Sequence, residues 1–358
     1  MKRSKLLRIL TAIAGVALAL AVPTAEARLT VGDPAPQLQV AKWVQGDPVT
    51  AFDTNHVYIV EFWATWCGPC RTSIPHLNEL WLKFKDRGLI AIGQDMAEPD
   101  DSGVAAFVKK MGDQMTYRVA LDDKRQETNG LMAAHWMKAA EQNSIPTAFV
   151  INKQGRIAWI GHPMELNEQT LGDILAGRFD IPKFAAEYER QQQVQAQNME
   201  LSKKLRTALK NKDWDAADAV LAELEKTMPE SARTQFGTKH LQILLGRKDY
   251  DGAYKLAESL SNEGITGLQN SVAWMLATTK GVDQRGLALA EIIAERANKA
   301  VNGKQPHYLD TLARIQFMNG KKTEAIATEQ KAVDLAPDEQ KAFLKKFLAS
   351  YQEGKLPE

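Results

Sequence analysis

Two textures of hydrophobic and polar positions divide the chain. Residues 56–63, HVYIVEFW, are β-branched and aromatic with almost no polar interruption, the pattern of a strand buried on both faces. After Cys67-Gly68-Pro69-Cys70, apolar side chains recur at Ile74, Leu77, Leu80, Trp81 and Phe84, which predicts a helix over 71–84 kinked at Pro75. Residues 89–93 and 116–121 read as further strands, and 101–111 and 130–140 as helices. Residues 147–152 and 156–160 flank the turn Lys153-Gln154-Gly155 and form a hairpin. Residues 31–54, punctuated by Gly32-Asp33-Pro34, Pro36 and Gly46-Asp47-Pro48, read as an extended entry segment. Strands and helices alternating before a hairpin predict an α/β fold, a mixed sheet covered by helices.

Beyond about residue 180 no Val/Ile-rich strand recurs. Residues 184–204 are rich in Gln and Glu and predict a polar connecting helix. Ala217, Ala253, Ala288 and Ala325 then stand in similar settings at spacings of 36, 35 and 37, and Pro229 and Pro337 each follow twelve residues after such an alanine. An all-helical texture with that period predicts stacked helical hairpins, whose small residues let paired helices approach closely.

The first eight residues carry Lys2, Arg3, Lys5 and Arg8, and an uncharged, mostly apolar run follows over 9–22, then Ala25-Glu26-Ala27. This is the plan of a signal peptide cleaved after Ala27, the apolar run being short for a span of about 20 residues. Losing those four basic residues and Glu26 takes the formal charge from +1 to −2. Such a balance, without clustered basic residues, gives no footing for nucleic-acid binding.

The chain has two cysteines, Cys67 and Cys70. A bond between them closes too small a loop to stabilise the fold appreciably, so the pair points to reversible redox chemistry. Thiol–disulfide exchange needs a thiolate, a second thiol that resolves the mixed disulfide, and access for a partner. A strand leading into Cys-x-x-Cys at a helix start offers all three. The unpaired N–H groups and positive dipole end there stabilise a Cys67 thiolate, lowering a cysteine pKa from about 8.5 to roughly 3.5–7.5. Cys70, one turn further in, is the expected resolving thiol. Haem attachment would need His after the second cysteine, where Arg71 stands, and zinc would need further ligands. A peroxidase signature Pro-x-x-x-Thr-x-x-Cys would need Pro and Thr where Val60 and Ala64 stand. No cofactor or metal is expected.

The stretch Phe62-Trp63-Ala64-Thr65-Trp66-Cys67-Gly68-Pro69-Cys70-Arg71 resembles the thioredoxin active-site signature. Pro75 is similar to that fold's kink proline, and Ile145-Pro146-Thr147 to its cis-proline loop. The Val31-Gly32-Asp33-Pro34-Ala35-Pro36 opening, with about 35 extra residues between motifs, resembles the TlpA/ResA/DsbE-like exported oxidoreductases of the broader AhpC/TSA-like superfamily. The C-terminal part, most regular from Pro306 to Pro337, resembles tetratricopeptide repeats. The expected organisation is a signal peptide (1–27), a thioredoxin-like domain (28–180), a polar connecting helix (181–204) and a helical repeat domain (205–358).

The resemblance implies a Cys67–Cys70 disulfide with Cys67 as nucleophile. It places Glu61 where thioredoxins carry a buried acid that relays a proton to the second cysteine. The alternative is a carboxylate that reaches solvent at the sheet's end. The position of the neighbouring thioredoxin lysine aligns to Ile92, which would leave Glu61 without a charged partner. Trp66, Gly68, Pro69, Ile145, Pro146, Gly161 and His162 are expected around a partner's chain. His162 has a plainer reading as a solvated turn residue. Trp63, His76, His135 and Trp136 read as packing or helix residues.

These expectations lead to an exported, periplasmic protein-disulfide reductase. Gly-Pro between the cysteines favours reduction over strong oxidation, and a membrane electron donor of the DsbD type is implied by resemblance. The repeats would hold a protein partner. The competing reading is a repeat-based binding module whose thioredoxin domain is a redox sensor or a relic.

Overall fold

The computed structural model describes residues 28–228 and 234–357, so the expected signal peptide and Pro229 lie outside the described residues. The chain divides into two compact units, one up to Arg190 and one from Gln191.

The first unit is built on a six-stranded mixed sheet in the order β1-β4-β3-β2-β5-β6. Its strands are β1 (Val40–Gln45), β2 (Val57–Trp63), β3 (Leu89–Asp95), β4 (Arg118–Asp122), β5 (Thr147–Ile151) and β6 (Ile157–Gly161). β2 and β3, and β3 and β4, run parallel, while β1, β5 and β6 pair antiparallel. Every residue of β2 is buried, because this central strand is covered on both faces. Val57, Ile59 and Trp63 join one core with α1 (Gly68–Phe84). Tyr58, Val60 and Phe62 join the other, around Trp136. Trp136 meets Phe52, Phe62 and Phe149 edge-on or tilted, so its expected packing role holds. The fold is thioredoxin-like, as expected.

Two local readings are corrected. The entry segment contains β1, which hydrogen-bonds along β4 at the sheet edge. Its Lys42 and Gln45 and the turn residues on either side mask the strand in the sequence. The helix expected at 130–140 contains a π-helical turn, Ala133–Lys138. The Asp122 carboxylate accepts the Met132 and Ala133 N–H groups at 2.8 and 2.9 Å, and a Cβ on Gly130 would fall 2.1 Å from that carboxyl.

α2 (Val104–Met111) and α3 (Glu168–Leu175) complete the layers. α4 (Ile181–Asn211) contains the predicted connecting helix and runs beyond it, and the boundary between the units falls inside it. The second unit continues as helices α5 (Trp214–Thr227), α6 (Thr234–Gly246), α7 (Tyr250–Asn262), α8 (Thr266–Thr278), α9 (Gln284–Ala300), α10 (Pro306–Met318), α11 (Lys322–Leu335) and α12 (Asp338–Gln352). Ala217, Ala253 and Ala325 are fully buried on α5, α7 and α11. Ala288 is exposed, which corrects the third copy. Helix caps mark that copy instead: Asp213, Asp249 and Asp283 each accept the N–H three residues on, whereas Lys321 opens the fourth copy without a side-chain cap. Counting from Asp283, the equivalent of Ala217 is Leu287. None of the helices among the described residues is long and apolar enough to cross a membrane.

Candidate active site

Strand β2 ends at Trp63 and the chain turns through Ala64-Thr65-Trp66 into α1. Cys67 is the N-cap of α1, and its sulfur accepts the Cys70 N–H at 3.1 Å. Pro69 fills a first-turn position where no N–H is needed. The two cysteines form a disulfide, as expected, with Cα atoms 5.3 Å apart. Cys70 is fully enclosed, and Cys67 retains only 4% exposure. Access to the Cys67 sulfur is therefore narrow, edged by exposed Gly68, Pro69 and Trp66.

Trp66 is 56% exposed and is held by its indole N–H, which donates to the Ala97 carbonyl at 3.2 Å. Trp63 is buried, stacked obliquely on Phe107. The Ile145–Pro146 bond is cis, and the Ile145 carbonyl oxygen lies 3.7 Å from Cys67 Sγ. A reduced Cys67 could donate to that oxygen. Gly161 ends β6 and His162 follows it. A Cβ on Gly161 would fall 2.7 Å from the Trp159 ring, so packing within the fold already requires glycine there. His162 caps the turn Pro163–Glu165, its Nδ1 accepting the Met164 N–H at 3.3 Å, in keeping with the plainer reading. His76 bonds the Leu166 carbonyl at 2.9 Å, and His135 bonds the Gln39 side chain.

Glu61 has no exposure, which overturns the reading of a carboxylate that reaches solvent. Burial pushes its carboxyl up to about 7, against hydrogen bonds from Tyr117 and Ser73 that pull the other way. Tyr117 donates to Oε2 at 2.9 Å. Ser73 Oγ lies 3.0 Å from Oε1 and 3.1 Å from the Cys70 carbonyl. One hydroxyl proton cannot serve both. A protonated Glu61 donates to Ser73, which donates to the Cys70 carbonyl; an ionised Glu61 accepts the Ser73 O–H itself. The acid's charge is thus coupled to the backbone of the second cysteine.

Sequence reasoning missed Ser73 and Tyr117. It also placed the wrong residue opposite the acid. In the parallel pairing Glu61 faces Gly93, whereas Ile92 points into the other core. A Cβ on Gly93 would lie 3.0 Å from both Trp63 Nε1 and the Tyr117 ring. The lysine's place is therefore taken by a phenol from β4's approach, a neutral donor in place of a cation. Replacing Tyr117 with Phe should raise the Glu61 carboxyl further and destabilise the protein by about 1 kcal/mol more at pH 8 than at pH 5. Carboxyl-carbon NMR and denaturant titrations at the two pH values check both parts.

A thioredoxin-like sheet that presents a Cys-x-x-Cys disulfide at a helix start defines a dithiol–disulfide protein. Residues 31–160 match the AhpC/TSA family. The chain is 32% identical over 146 residues to protein FixW of Rhizobium leguminosarum, covering 39% of this chain and 64% of FixW. It is 30% identical over 131 residues to the thiol-disulfide oxidoreductase ResA of Bacillus thuringiensis, covering 36% of this chain and 68% of ResA. A solved thiol-disulfide isomerase from Corynebacterium glutamicum aligns at 19% identity with a TM-score of 0.34, over 41% of this chain and 97% of its own. The chain belongs to the ResA-type family of thiol-disulfide oxidoreductases.

Proposed function

We propose that this protein is an exported protein-disulfide reductase working through Cys67 and Cys70. The observation that carries the reading is the Cys67–Cys70 disulfide at the start of α1, with Cys70 fully enclosed and its carbonyl 3.1 Å from Ser73 Oγ, which also reaches Glu61. In the reduced protein, the Cys67 thiolate attacks a substrate disulfide. A Cys67–substrate bond forms, and one substrate sulfur leaves as a thiolate. Cys70 then gives up its proton and attacks Cys67 Sγ, releasing the second substrate sulfur. The substrate gains two electrons and the pair returns to the disulfide. Glu61 is the proposed acceptor of the Cys70 proton, since a carboxyl held near 7 can both take and release one at neutral pH. Trp66, Gly68, Pro69, Ile145 and Pro146 form the proposed contact surface for the substrate chain; Gly161 and His162 contribute through the β6 turn.

Export rests on the basic and apolar pattern of residues 1–27. A secretory compartment needs electrons delivered from a membrane donor of the DsbD type, and the helices after α4 are proposed as tetratricopeptide-like repeats that hold a protein partner. A redox titration of the purified protein tests the direction. A potential near −270 mV is expected, and one near −120 mV would assign an oxidase.

A further inference from the structure

A second buried carboxyl lies on the other side of the Cys67 turn and has no part in the exchange steps above. Asp95 ends β3, opposite Trp63, and is completely buried. Among the described residues, no N–H or O–H group reaches either of its oxygens. Its carboxyl lies within hydrogen-bonding reach of the Glu98 carboxyl. Two carboxyl groups can bond only when one of them carries a proton. Glu98 in turn accepts the backbone N–H of Thr65 at 2.5 Å. The Thr65 carbonyl, in the following peptide group, accepts from the Arg71 guanidinium at 2.7 Å. Trp66 is tied to Ala97, and Met96 N–H donates to the Trp63 carbonyl at 2.9 Å. The segment from Asp95 to Glu98 therefore holds the whole turn that delivers Cys67.

We propose that Asp95 and Glu98 share one proton and act as positioning residues, fixing the Thr65–Trp66 turn that presents Cys67 to its partner. With the proton in place, Asp95 donates to Glu98, and Glu98 keeps an oxygen for Thr65. When that proton is lost to solvent, two carboxylates face each other in a buried corner. Glu98, the partly exposed member, turns away, and Thr65 N–H loses its acceptor. The surroundings favour retention of the proton. Burial first, then the charges of Glu98 and Asp101, push the Asp95 carboxyl up to about 8. Lys124 opposes this, but its ammonium is engaged with Asp101 and with the Glu98 carbonyl. Arg71 holds the Thr65 carbonyl, and Glu61 and Asp122 are the other buried acids of this sheet.

The kinetic consequence rests on Cys67 being the exchanging sulfur; the proton sharing does not. Carbon-detected NMR of the full oxidised chain separates the two. The Asp95 carboxyl carbon should titrate near pH 8, with the Thr65 backbone carbons following the same curve. Glu98→Gln keeps an acceptor for Thr65 and supplies an amide donor to Asp95, so the Thr65 response should vanish. Asp95→Asn, which donates to Glu98, should abolish it as well, and Glu61→Gln should leave it in place. Reduction by dithiothreitol should proceed equally in wild type and Glu98→Gln at about pH 6.5. At about pH 9 wild type should lag by roughly three- to tenfold, the value of one lost hydrogen bond. A Thr65 response that persists in both variants, or an Asp95 carbon that titrates in the ordinary carboxylate range, overturns the shared proton. A correct NMR result with equal rates at both pH values would retain the pair and overturn its part in positioning Cys67. No reaction with dithiothreitol in any form would instead strike at the proposed function.

Discussion

Replacing Cys67 with serine should lower disulfide reduction by the purified protein by on the order of 10³-fold or more, as loss of a nucleophile does. Replacing Cys70 with alanine should stop turnover as completely but by another route, because the first bond exchange still occurs and the second cannot. Mixed disulfides should then accumulate on Cys67. Non-reducing gels and mass spectrometry of the trapped species read this directly. The asymmetry follows from position. Cys67 is the residue with a residual opening to solvent, whereas Cys70 is sealed behind it. It is also Cys67 whose sulfur takes the Cys70 N–H, one of the free donors of the first helical turn. If the serine variant turns over insulin as fast as wild type, the dithiol is not the working part. The repeat-based binding module then becomes the better account. If Cys70→Ala instead traps nothing while Cys67→Ala does, the two roles are reversed.

Much of the redox unit was legible because its signals are local. The Cys-x-x-Cys pair, the apolar strand before it and the helical stripe after it each lie within a short window of sequence. Ile145-Pro146 was readable through resemblance, and the bond is cis as expected. What stayed hidden depends on pairing between distant strands. Ile92 and Gly93 are neighbours in sequence, yet a one-residue change of register moves a side chain to the opposite face of the sheet. Only the β2–β3 pairing shows that Gly93 faces Glu61. Tyr117 lies 56 residues from the acid it serves, and nothing in its own neighbourhood marks it as a partner. Ser73 was within reach, since it sits three residues after Cys70, but a serine on a helix reads as ordinary surface until its burial is seen. In the repeats the alanines were the wrong ruler for the third copy. Alanine is common in helices for propensity alone, whereas an aspartate that caps a helix start is a positional requirement.

Glu61→Gln should change the protein's stability and its exchange rate together, with a pH dependence that identifies the group. The Glu61 carboxyl is raised from 4.5 to about 7 by burial. Between those values the folded chain holds a proton that the unfolded chain has released. Stability therefore falls as pH rises through this window, and the full cost of an ionised Glu61 is present above about 7. The gap corresponds to roughly 3 kcal/mol. Glutamine has the same shape and no charge. Its oxygen accepts from Tyr117, its amide donates to Ser73, and Ser73 is left to donate to the Cys70 carbonyl, so every bond of the protonated acid has a counterpart. The variant should match wild type near pH 4 and exceed it by roughly 2–3 kcal/mol at pH 9 in denaturant titrations. Asp95 and Glu329, also raised by burial, leave a remaining slope in both proteins. Exchange should move the other way. Without a base for the Cys70 proton, reduction of a protein disulfide should slow by on the order of 10²-fold at pH 7. The deficit should shrink as pH rises and solvent hydroxide takes over the deprotonation. A variant that gains stability at high pH but keeps the wild-type pH–rate profile would leave Glu61 as a buried acid with no part in resolution. The Cys70 proton would then leave by another path.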